Sequence, residues 1–363
     1  MRDLVIVCLL PERTNAVKTK TKITSLYPIP GSKRGAKYAM LKPLLSQSQI
    51  CEPFAGGAAK SLQLGLRSNL GEINISQAAL AQVPTSKKTI TNYIKDYEGI
   101  RSCFLEGIDL DALLRYADAD VKQQQKALKE DCPKVVELLT QRWKSITLNL
   151  FESINSGDPS SGIYSFCQRA CFGNVMRLSP SASGFNVSWH VSKLKNAIAF
   201  SPHDWCEGLK AQHWNPQVLT SWERAINSVI NPQKCYLLLD PPYVEAEGDK
   251  KMTPCYLGHK VTGDGRAQTY ALSIEPLREG LRRGFPWIQL TNYYSPQLDN
   301  EVTQLAIDNG YLCNRTMLGK CGALGNSNGR FKHGGRVDQR PEPIECAWSF
   351  QPWQQIELFT FTA

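Results

Sequence analysis

The chain has 363 residues, of which 42 are Lys or Arg and 33 are Asp or Glu, giving a formal net charge of +9. Hydrophobic residues make up 42% of the chain and charged residues 21%, a composition typical of a folded globular protein rather than a disordered one. No apolar run approaches the roughly 20 residues that span a bilayer, which argues against an integral membrane protein.

The cysteines and the start of the chain bear on its compartment. The twelve cysteines are scattered and form no C-x-x-C pair, which favours reduced, buried thiols over disulfides or a zinc site. The apolar stretch at residues 4–10 is too short for a signal peptide, and Asp3 interrupts the positive segment that should precede one. We therefore expect a cytoplasmic protein that binds no metal.

The positive charge is concentrated in three stretches. Residues 1–50 and 315–340 are strongly basic, and residues 159–203 contain Arg and Lys but no acidic side chain. Such separated basic segments suit a polyanionic partner that meets a defined surface, although solvated basic loops would give the same pattern.

Short apolar runs bounded by turn residues alternate with helix-like stretches along the chain, which predicts an α/β fold. The predicted strands cover residues 50–54, 235–239, 287–291, 311–317, 344–350 and 356–361. The predicted helices outside the middle of the chain cover residues 59–68, 273–283 and 297–309. The last two stop at Gly284 and Gly310, because the residue after a helix often adopts a left-handed conformation that glycine allows.

The middle of the chain has a different pattern. Residues 87–154 are charged and helical in periodicity, with apolar side chains repeating every three or four positions from Leu139 to Ile154. A Ser- and Gly-rich stretch follows, and then a hairpin-like segment up to residue 184. The sequence therefore predicts a helical, loop-rich insert in an α/β core.

The first chemical motif is Glu-Pro-Phe-Ala-Gly-Gly at residues 52–57, where a predicted strand leads into a helix. Glycines at such a turn let backbone N–H groups approach a ligand, and the helix N-terminus adds partial positive charge. The spacing differs from the dinucleotide fingerprint G-x-G-x-x-G. Glu72 follows at the end of a second strand, where an acid often binds ribose hydroxyls. Taken alone, the Gly-Gly pair also suits an ordinary turn.

The second motif is Asp240-Pro241-Pro242-Tyr243, directly after the apolar run 235–239. Because proline has no N–H, the backbone carbonyls of Asp240 and Pro241 can point at a ligand. A carboxylate, a neighbouring carbonyl and an aromatic ring together suit a planar amino group. A rigid turn with an exposed tyrosine is the structural alternative.

These motifs follow the order of the Dam-like family of DNA adenine-N(6) methyltransferases, which the chain resembles from about residue 26 to residue 350. The family carries a Gly-Lys segment, E-P-F-x-G-G, an acid after the second strand, a target-reading insert, D-F and D-P-P-Y. The matching residues here are Gly31 with Lys33 and Lys37, residues 52–57, Glu72 with Asn74, Asp204 with Trp205, and residues 240–243.

The resemblance implies a Rossmann-like, S-adenosylmethionine-dependent methyltransferase core with an inserted, mainly helical target-recognition domain. It divides the chain into an N-terminal arm (1–24), a core (25–85 and 196–363) and the insert (86–195). The catalytic residues that it implies are Asp240, Pro241, Pro242 and Tyr243.

The resemblance also implies S-adenosyl-L-methionine as the cofactor. Lys33 or Lys37 would hold the methionine carboxylate, Glu72 the ribose, and Asp204 the adenine amino group. The full set of implied cofactor contacts is Lys33, Lys37, Glu52, Pro53, Phe54, Ala55, Gly56, Gly57, Glu72, Asn74, Asp204, Trp205 and Asp240.

Within the insert, residues 168–188 resemble the hairpin with which the family reads DNA, expected here at about 165–190. Arg177 falls where a family arginine reads guanine through O6 and N7, although a phosphate contact is the alternative. Gly173-Asn174 reverses the family's N-G and Ser188 replaces its proline, so the recognition sequence stays open. The residues assigned to DNA are Arg169, Val175, Arg177, Asn186, Lys332 and Arg336.

Two further segments match the family near its end. Thr291-Asn292-Tyr293 lies where the family lines its base pocket, and Glu345 marks the final strand after a basic loop.

The activity implied is methyl transfer to the N(6) amino group of adenine in double-stranded DNA, after the base has flipped out of the helix. The resemblance further implies a monomer, encoded by a bacterium, a phage or a mobile element. Two alternatives stay open: an RNA adenine methyltransferase and a DNA-binding homologue without activity. A cytosine-N(4) product is less favoured, since those enzymes usually carry Ser where Asp240 stands.

Overall fold

The computed structural model describes residues 49–353, apart from residues 57, 59–60, 63–65, 72–74, 118–120, 173–175, 177–183, 186, 213, 215, 244–264 and 321–343.

A seven-stranded sheet forms the centre of this part of the chain. Its strands are β1 (Gln49–Glu52), β2 (Arg67–Gly71), β3 (Pro216–Leu219), β4 (Cys235–Leu239), β5 (Trp287–Tyr293), β6 (Tyr311–Lys320) and β7 (Ile344–Pro352). They are arranged in the order β3-β2-β1-β4-β5-β7-β6. Strands β1 to β5 pair in parallel, whereas β7 is antiparallel to both β5 and β6. We call the edge at which β1 to β5 end the carboxyl edge.

Helices lie between the strands. They are α1 (Ile75–Gln82), α2 (Lys87–Leu105), α3 (Leu110–Arg115), α4 (Val121–Asp131), α5 (Pro133–Asn155), α6 (Ser161–Ala170), α7 (Val191–Ala199), α8 (Pro202–Ala211), α9 (Trp222–Asn227), α10 (Gly265–Arg282) and α11 (Pro296–Asp308). Serine hydroxyls cap the first turns of α2, α6, α8, α9 and α11 by accepting a backbone N–H three residues on. Such caps satisfy donors that a helix N-terminus leaves without a partner.

The mostly parallel sheet with its helices confirms the predicted α/β class and is compatible with a Rossmann-like core. Strand β4 has the predicted bounds, and the predicted strands that correspond to β1, β5, β6 and β7 match to within a few residues. Strand β3 was not predicted. One prediction was wrong: residues 67 and 68, expected in a helix, begin β2. The predicted strand at 356–361 lies outside the described residues.

Two apolar clusters flank the sheet. Helices α9, α10 and α11 share one apolar cluster with the sheet: α9 packs on β1 to β3, α10 on β4 and β5, and α11 on β6. Leu237, Leu239 and Leu290 are fully buried in this cluster. Helix α10 crosses β4 so closely that a Cβ atom on Gly280 would overlap the Leu237 side chain. This packing holds β4 in place and so sets the position of residues 240–243, which follow it.

The helices α2 to α6 lie in the part of the sequence expected to form the insert (residues 86–195), whereas α8 lies beyond it and packs with them. Their apolar side chains form one cluster that continues to Leu70 of β2 and Leu80 of α1. Helix α7 crosses the expected boundary at residue 195, and residues 165–170 belong to α6 rather than to a hairpin.

Helices α2 and α6 touch backbone to backbone at Gly162. A Cβ atom there would lie 2.5 Å from the Tyr93 carbonyl oxygen and 2.7 Å from the Tyr97 nitrogen. Because both neighbours are main-chain atoms, a side chain can be accommodated only by moving one helix.

We therefore predict that Gly162→Ala lowers the free energy of unfolding by about 1–3 kcal/mol, the usual cost of overpacking. Gly99→Ala is the matched control, since Gly99 lies within α2 and a Cβ atom added there would meet nothing within 4 Å. That change should stabilise the protein by about 0.5–1 kcal/mol through helix propensity. Urea denaturation measures both, and equal effects of the two substitutions would contradict the close contact.

Candidate active site

The strand order reverses between β1 and β4, since the chain proceeds from β1 outward to β2 and β3 and then returns to β4 on the other side. In open α/β sheets, ligands bind at the carboxyl ends of the strands next to such a reversal. The segment after β1 (residues 53–58, the β1 loop) and the segment after β4 (residues 240–243, the DPPY loop) flank this point. The two sequence motifs therefore follow adjacent strands at the place where such sheets hold their ligand crevice.

The β1 loop is a tight turn with two left-handed residues. Gly56 and Ala58 both have φ of +47°, and the Ala58 N–H donates to the Ala55 carbonyl at 2.7 Å. The Ala55 N–H donates to the Gly71 carbonyl at 3.0 Å, which ties the loop to the end of β2. Gly57 lies outside the described residues. The turn has the compact backbone geometry that lets main-chain groups approach a ligand.

Glu52 lies beneath this loop. It is 4% exposed, and its Oε1 accepts hydrogen bonds of 2.5 Å from both the backbone N–H and the hydroxyl of Ser61. A buried carboxylate needs such donors to offset its desolvation. The family resemblance implies a cofactor contact for Glu52, and the observed bonds join its carboxylate to Ser61, just beyond the loop.

Gly71 explains how closely β1 and β2 approach each other at the carboxyl edge. A Cβ atom on Gly71 would overlap the Pro53 carbonyl oxygen, so only glycine fits there. Pro53 is buried and Phe54 is half-buried. Glu72 and Asn74 follow directly after β2, as predicted, but themselves lie outside the described residues.

Asp240 stands at the end of β4, next to the end of β5. The fully buried Thr291 donates its hydroxyl hydrogen to Asp240 Oδ1 at 2.7 Å. Pro241 and Pro242 are buried, and Asp240 and Tyr243 are half-buried. The DPPY loop is therefore built into the protein rather than being an exposed turn.

Tyr243 is held from two sides. Its hydroxyl donates to Glu345 Oε1 at 2.5 Å, and its ring meets the Tyr293 ring edge-on, with centroids 4.8 Å apart at 79°. Burial raises the pKa of Tyr243 well above its usual value, and the negative charges of Asp240 and Glu345 raise it further. The phenol is therefore a neutral hydrogen-bond donor near pH 7.

Asn292 organises the neighbouring turn. Its amide nitrogen donates to the Ser273 hydroxyl at 2.9 Å, and its Oδ1 accepts the Tyr293 N–H at 2.7 Å. Ser273 lies on α10 and had no sequence signal, because its role depends on a contact between elements distant in sequence.

Asp204 and Trp205 lie in helix α8 and do not follow a strand of the sheet. Trp205 is a core side chain of the helical part: its ring lies 4.9 Å from the Tyr93 ring and also packs near Phe200. Asp204 is exposed in the first turn of α8, which packs on α2. The residues that follow β3 at the carboxyl edge are instead Thr220, Ser221 and Trp222. Strand β3 has no strong sequence signal, since it has only four residues and begins with proline.

Arg169 also differs from its expected role as a DNA contact. Its guanidinium lies 3.6 Å from the centroid of the Phe200 ring, inside the helical part. Burial lowers the pKa of Arg169, while Tyr93 and Tyr97 oppose that shift. The half-buried side chain therefore links α6 to α2 and to the end of α7.

The base of the expected hairpin is described. Cys171 and Trp189 form an antiparallel bridge, the Phe172 N–H donates to the Ser188 carbonyl at 3.0 Å, and the Trp143 indole donates to the Val187 carbonyl at 2.8 Å. The remaining residues assigned to DNA or to the cofactor lie outside the described residues, namely Lys33, Lys37, Val175, Arg177, Asn186, Lys332 and Arg336.

Comparison with known proteins gives no match, either to a protein-family model or to a curated protein. None of the described helices combines the length and hydropathy needed to cross a bilayer. Within the described ranges, no three His, Cys, Asp or Glu side chains cluster as metal ligands would.

We predict that Arg169→Met lowers the free energy of unfolding by about 1–2 kcal/mol, because it removes a desolvated cation–π contact. Lys144→Met, at an exposed position on α5, is the control and should change stability by less than about 0.5 kcal/mol. Urea denaturation without DNA is the measurement. If the two substitutions had the same small effect, Arg169 would not be the internal link described above.

Proposed function

We propose that the protein is a site-specific DNA methyltransferase that transfers the methyl group of S-adenosylmethionine to the N(6) amino group of adenine in duplex DNA. The sheet and its switch point would be a Rossmann-like methyltransferase core, and the helical part around α2 to α8 would be the inserted target-recognition domain. The observation that carries this proposal is the meeting of the β1 loop and the DPPY loop at the reversal of strand order. One loop suits a nucleoside cofactor, and the other suits a planar amino group.

The residues at the crevice fit the cofactor. The left-handed turn at Gly56 and Ala58 gives main-chain groups close access to a ligand. The backbone of the β1 loop would hold the cofactor with Glu72 and with Lys33 or Lys37. Residues 220–222, after β3, take the place that the family resemblance assigns to Asp204 and Trp205. When bound, S-adenosylmethionine supplies an electrophilic methyl group on its sulfonium.

The protein's own task is to make the amino nitrogen a better nucleophile. The nitrogen lone pair of adenine is delocalised into the ring, and acceptors for both N–H groups counteract that delocalisation. The Asp240 carboxylate and the Pro241 carbonyl are these acceptors, and Thr291 fixes the rotation of the carboxylate through Oδ1. Tyr243 provides an aromatic ring for the flipped base to stack on. Positioning and electrostatics then supply most of the acceleration.

We predict that Asp240→Ala lowers kcat for methyl transfer to DNA by at least about 100-fold, as loss of a transition-state hydrogen bond does elsewhere. Binding of S-adenosylmethionine to this variant should change less. Asp308→Ala is the control, since Asp308 is exposed at the end of α11. The measurement is incorporation of labelled methyl groups into unmethylated duplex DNA. Transfer by Asp240→Ala at the wild-type rate would refute the mechanism.

The same assay with RNA separates the alternatives. The proposal requires transfer to duplex DNA. Labelling of RNA alone would identify an RNA methyltransferase, and binding of DNA and cofactor without any transfer would identify a silent homologue.

The basic segments give a second test of DNA as the partner. Neutralising Lys332, Arg336 and Arg340 should weaken binding to all duplexes and reduce the slope of log K against log salt by about 0.9 for each phosphate that is no longer neutralised. Replacing Arg177 should instead relax base preference, because base contacts specify and phosphate contacts position. Fluorescence anisotropy over a salt series measures both. Identical behaviour of the two sets of variants would contradict the assignment of Arg177 as the reader.

A further inference from the structure

Glu345 occupies an unusual position for a carboxylate. It stands at the start of β7 and pairs with Tyr293 at the end of β5, so it lies at the carboxyl edge although β7 is antiparallel. Its side chain is completely buried. Burying a charged carboxylate is costly unless good hydrogen bonds compensate, so a neutral side chain would fill this place more easily.

A hydrogen bond joins Glu345 to the DPPY loop. The Tyr243 hydroxyl donates to Glu345 Oε1 at 2.5 Å, across 102 residues of sequence. The bond therefore ties the hydroxyl end of the Tyr243 side chain to the start of β7.

Because of this bond, Tyr243 and Asp240 have different hydrogen-bond partners. A phenol has a single hydrogen, and here that hydrogen is directed to Glu345. Asp240 receives its hydrogen bond from Thr291 instead. Tyr243 is thus oriented by Glu345 at one end and by the edge-on Tyr293 ring at 4.8 Å along its side.

We propose that Glu345 is a positioning residue for the target base: through the Tyr243 hydroxyl, it fixes the orientation of the ring on which the flipped adenine stacks. The inference rests on the proposed function. Glu345 itself touches neither the base nor the cofactor in this scheme. Glu345 therefore affects how the amino group is aligned with the methyl group, and small displacements in that alignment lower the rate of transfer.

The test is a double-mutant cycle of Glu345→Gln with Tyr243→Phe, read by steady-state methyl transfer to unmethylated duplex DNA. Glu345→Ala should lower kcat about 10- to 100-fold, because the ring is misplaced. Glu345→Gln keeps an oxygen acceptor and should recover part of that loss. In the Tyr243→Phe background, Glu345→Gln should change kcat by less than about twofold, since the hydroxyl that links the two residues is gone. The KM for S-adenosylmethionine should stay within about twofold throughout.

The chain provides a matched control in Glu301. Its Oε2 accepts the Tyr270 hydroxyl at 2.5 Å, a pair of the same chemistry between α10 and α11. Glu301→Gln should leave kcat within about twofold of the wild type. Urea denaturation of every variant separates loss of folded protein from loss of rate. If Tyr243→Phe does not fold, the decision rests on folded Glu345→Gln and Glu345→Ala, compared with each other and with Glu301→Gln.

The outcomes are distinct. If the wild-type protein transfers no methyl group to DNA, the proposed function fails, and the positioning role fails with it. If the wild type is active but Glu345→Gln has the same effect with and without the Tyr243 hydroxyl, only the positioning role is overturned. The positioning role would also be overturned if Glu345→Gln and Glu345→Ala lowered kcat equally, or if Glu301→Gln lowered kcat as much as Glu345→Gln.

Discussion

Parallel pairing of β1 with β4, from Gln49 opposite Cys235 to Cys51 opposite Leu237, joins two segments that the whole helical part separates in sequence. Because parallel strands end at the same edge, this pairing carries the β1 loop and the DPPY loop to one crevice. The packing of α10 on β4 at Gly280, and of β2 on the β1 loop at Gly71, then limits how either segment can shift. The sheet topology alone is therefore enough to bring the two loops of the candidate site together.

Three hydrogen bonds between a carboxylate and a hydroxyl hold residues at or near the carboxyl edge. Glu52 accepts from Ser61, Asp240 from Thr291, and Glu345 from Tyr243. The carboxylates of Glu52 and Glu345 are buried, so each bond also offsets a desolvation cost. These bonds pre-organise the crevice, and pre-organised polar groups stabilise developing charge more effectively than groups that must first reorient.

Sequence reasoning succeeded where the signal is local. The apolar run of β4 and the periodicity of the long helices were sufficient to locate them, and the prolines of the DPPY loop marked the end of a strand. It failed where the position of a residue depends on distant partners. Arg169 reads as a surface cation, yet Tyr93, Tyr97 and Phe200 form an interior environment for it. Asp204 and Trp205 stand where the family's D-F was expected. Strand β3 has only four residues and begins with proline, so the sequence did not point to residues 220–222 instead. The contact between Tyr243 and Glu345 has no local signal at all.

Photo-crosslinking can show whether the methyl donor binds between the ends of β1 and β4. The protein would be irradiated with S-adenosylmethionine labelled in its methyl group, digested, and the labelled peptides mapped by mass spectrometry. We expect label on peptides containing residues 53–58 or 240–243, with competition by unlabelled cofactor. Label confined to the helices α2 to α8, or no competable label at all, would contradict this expectation.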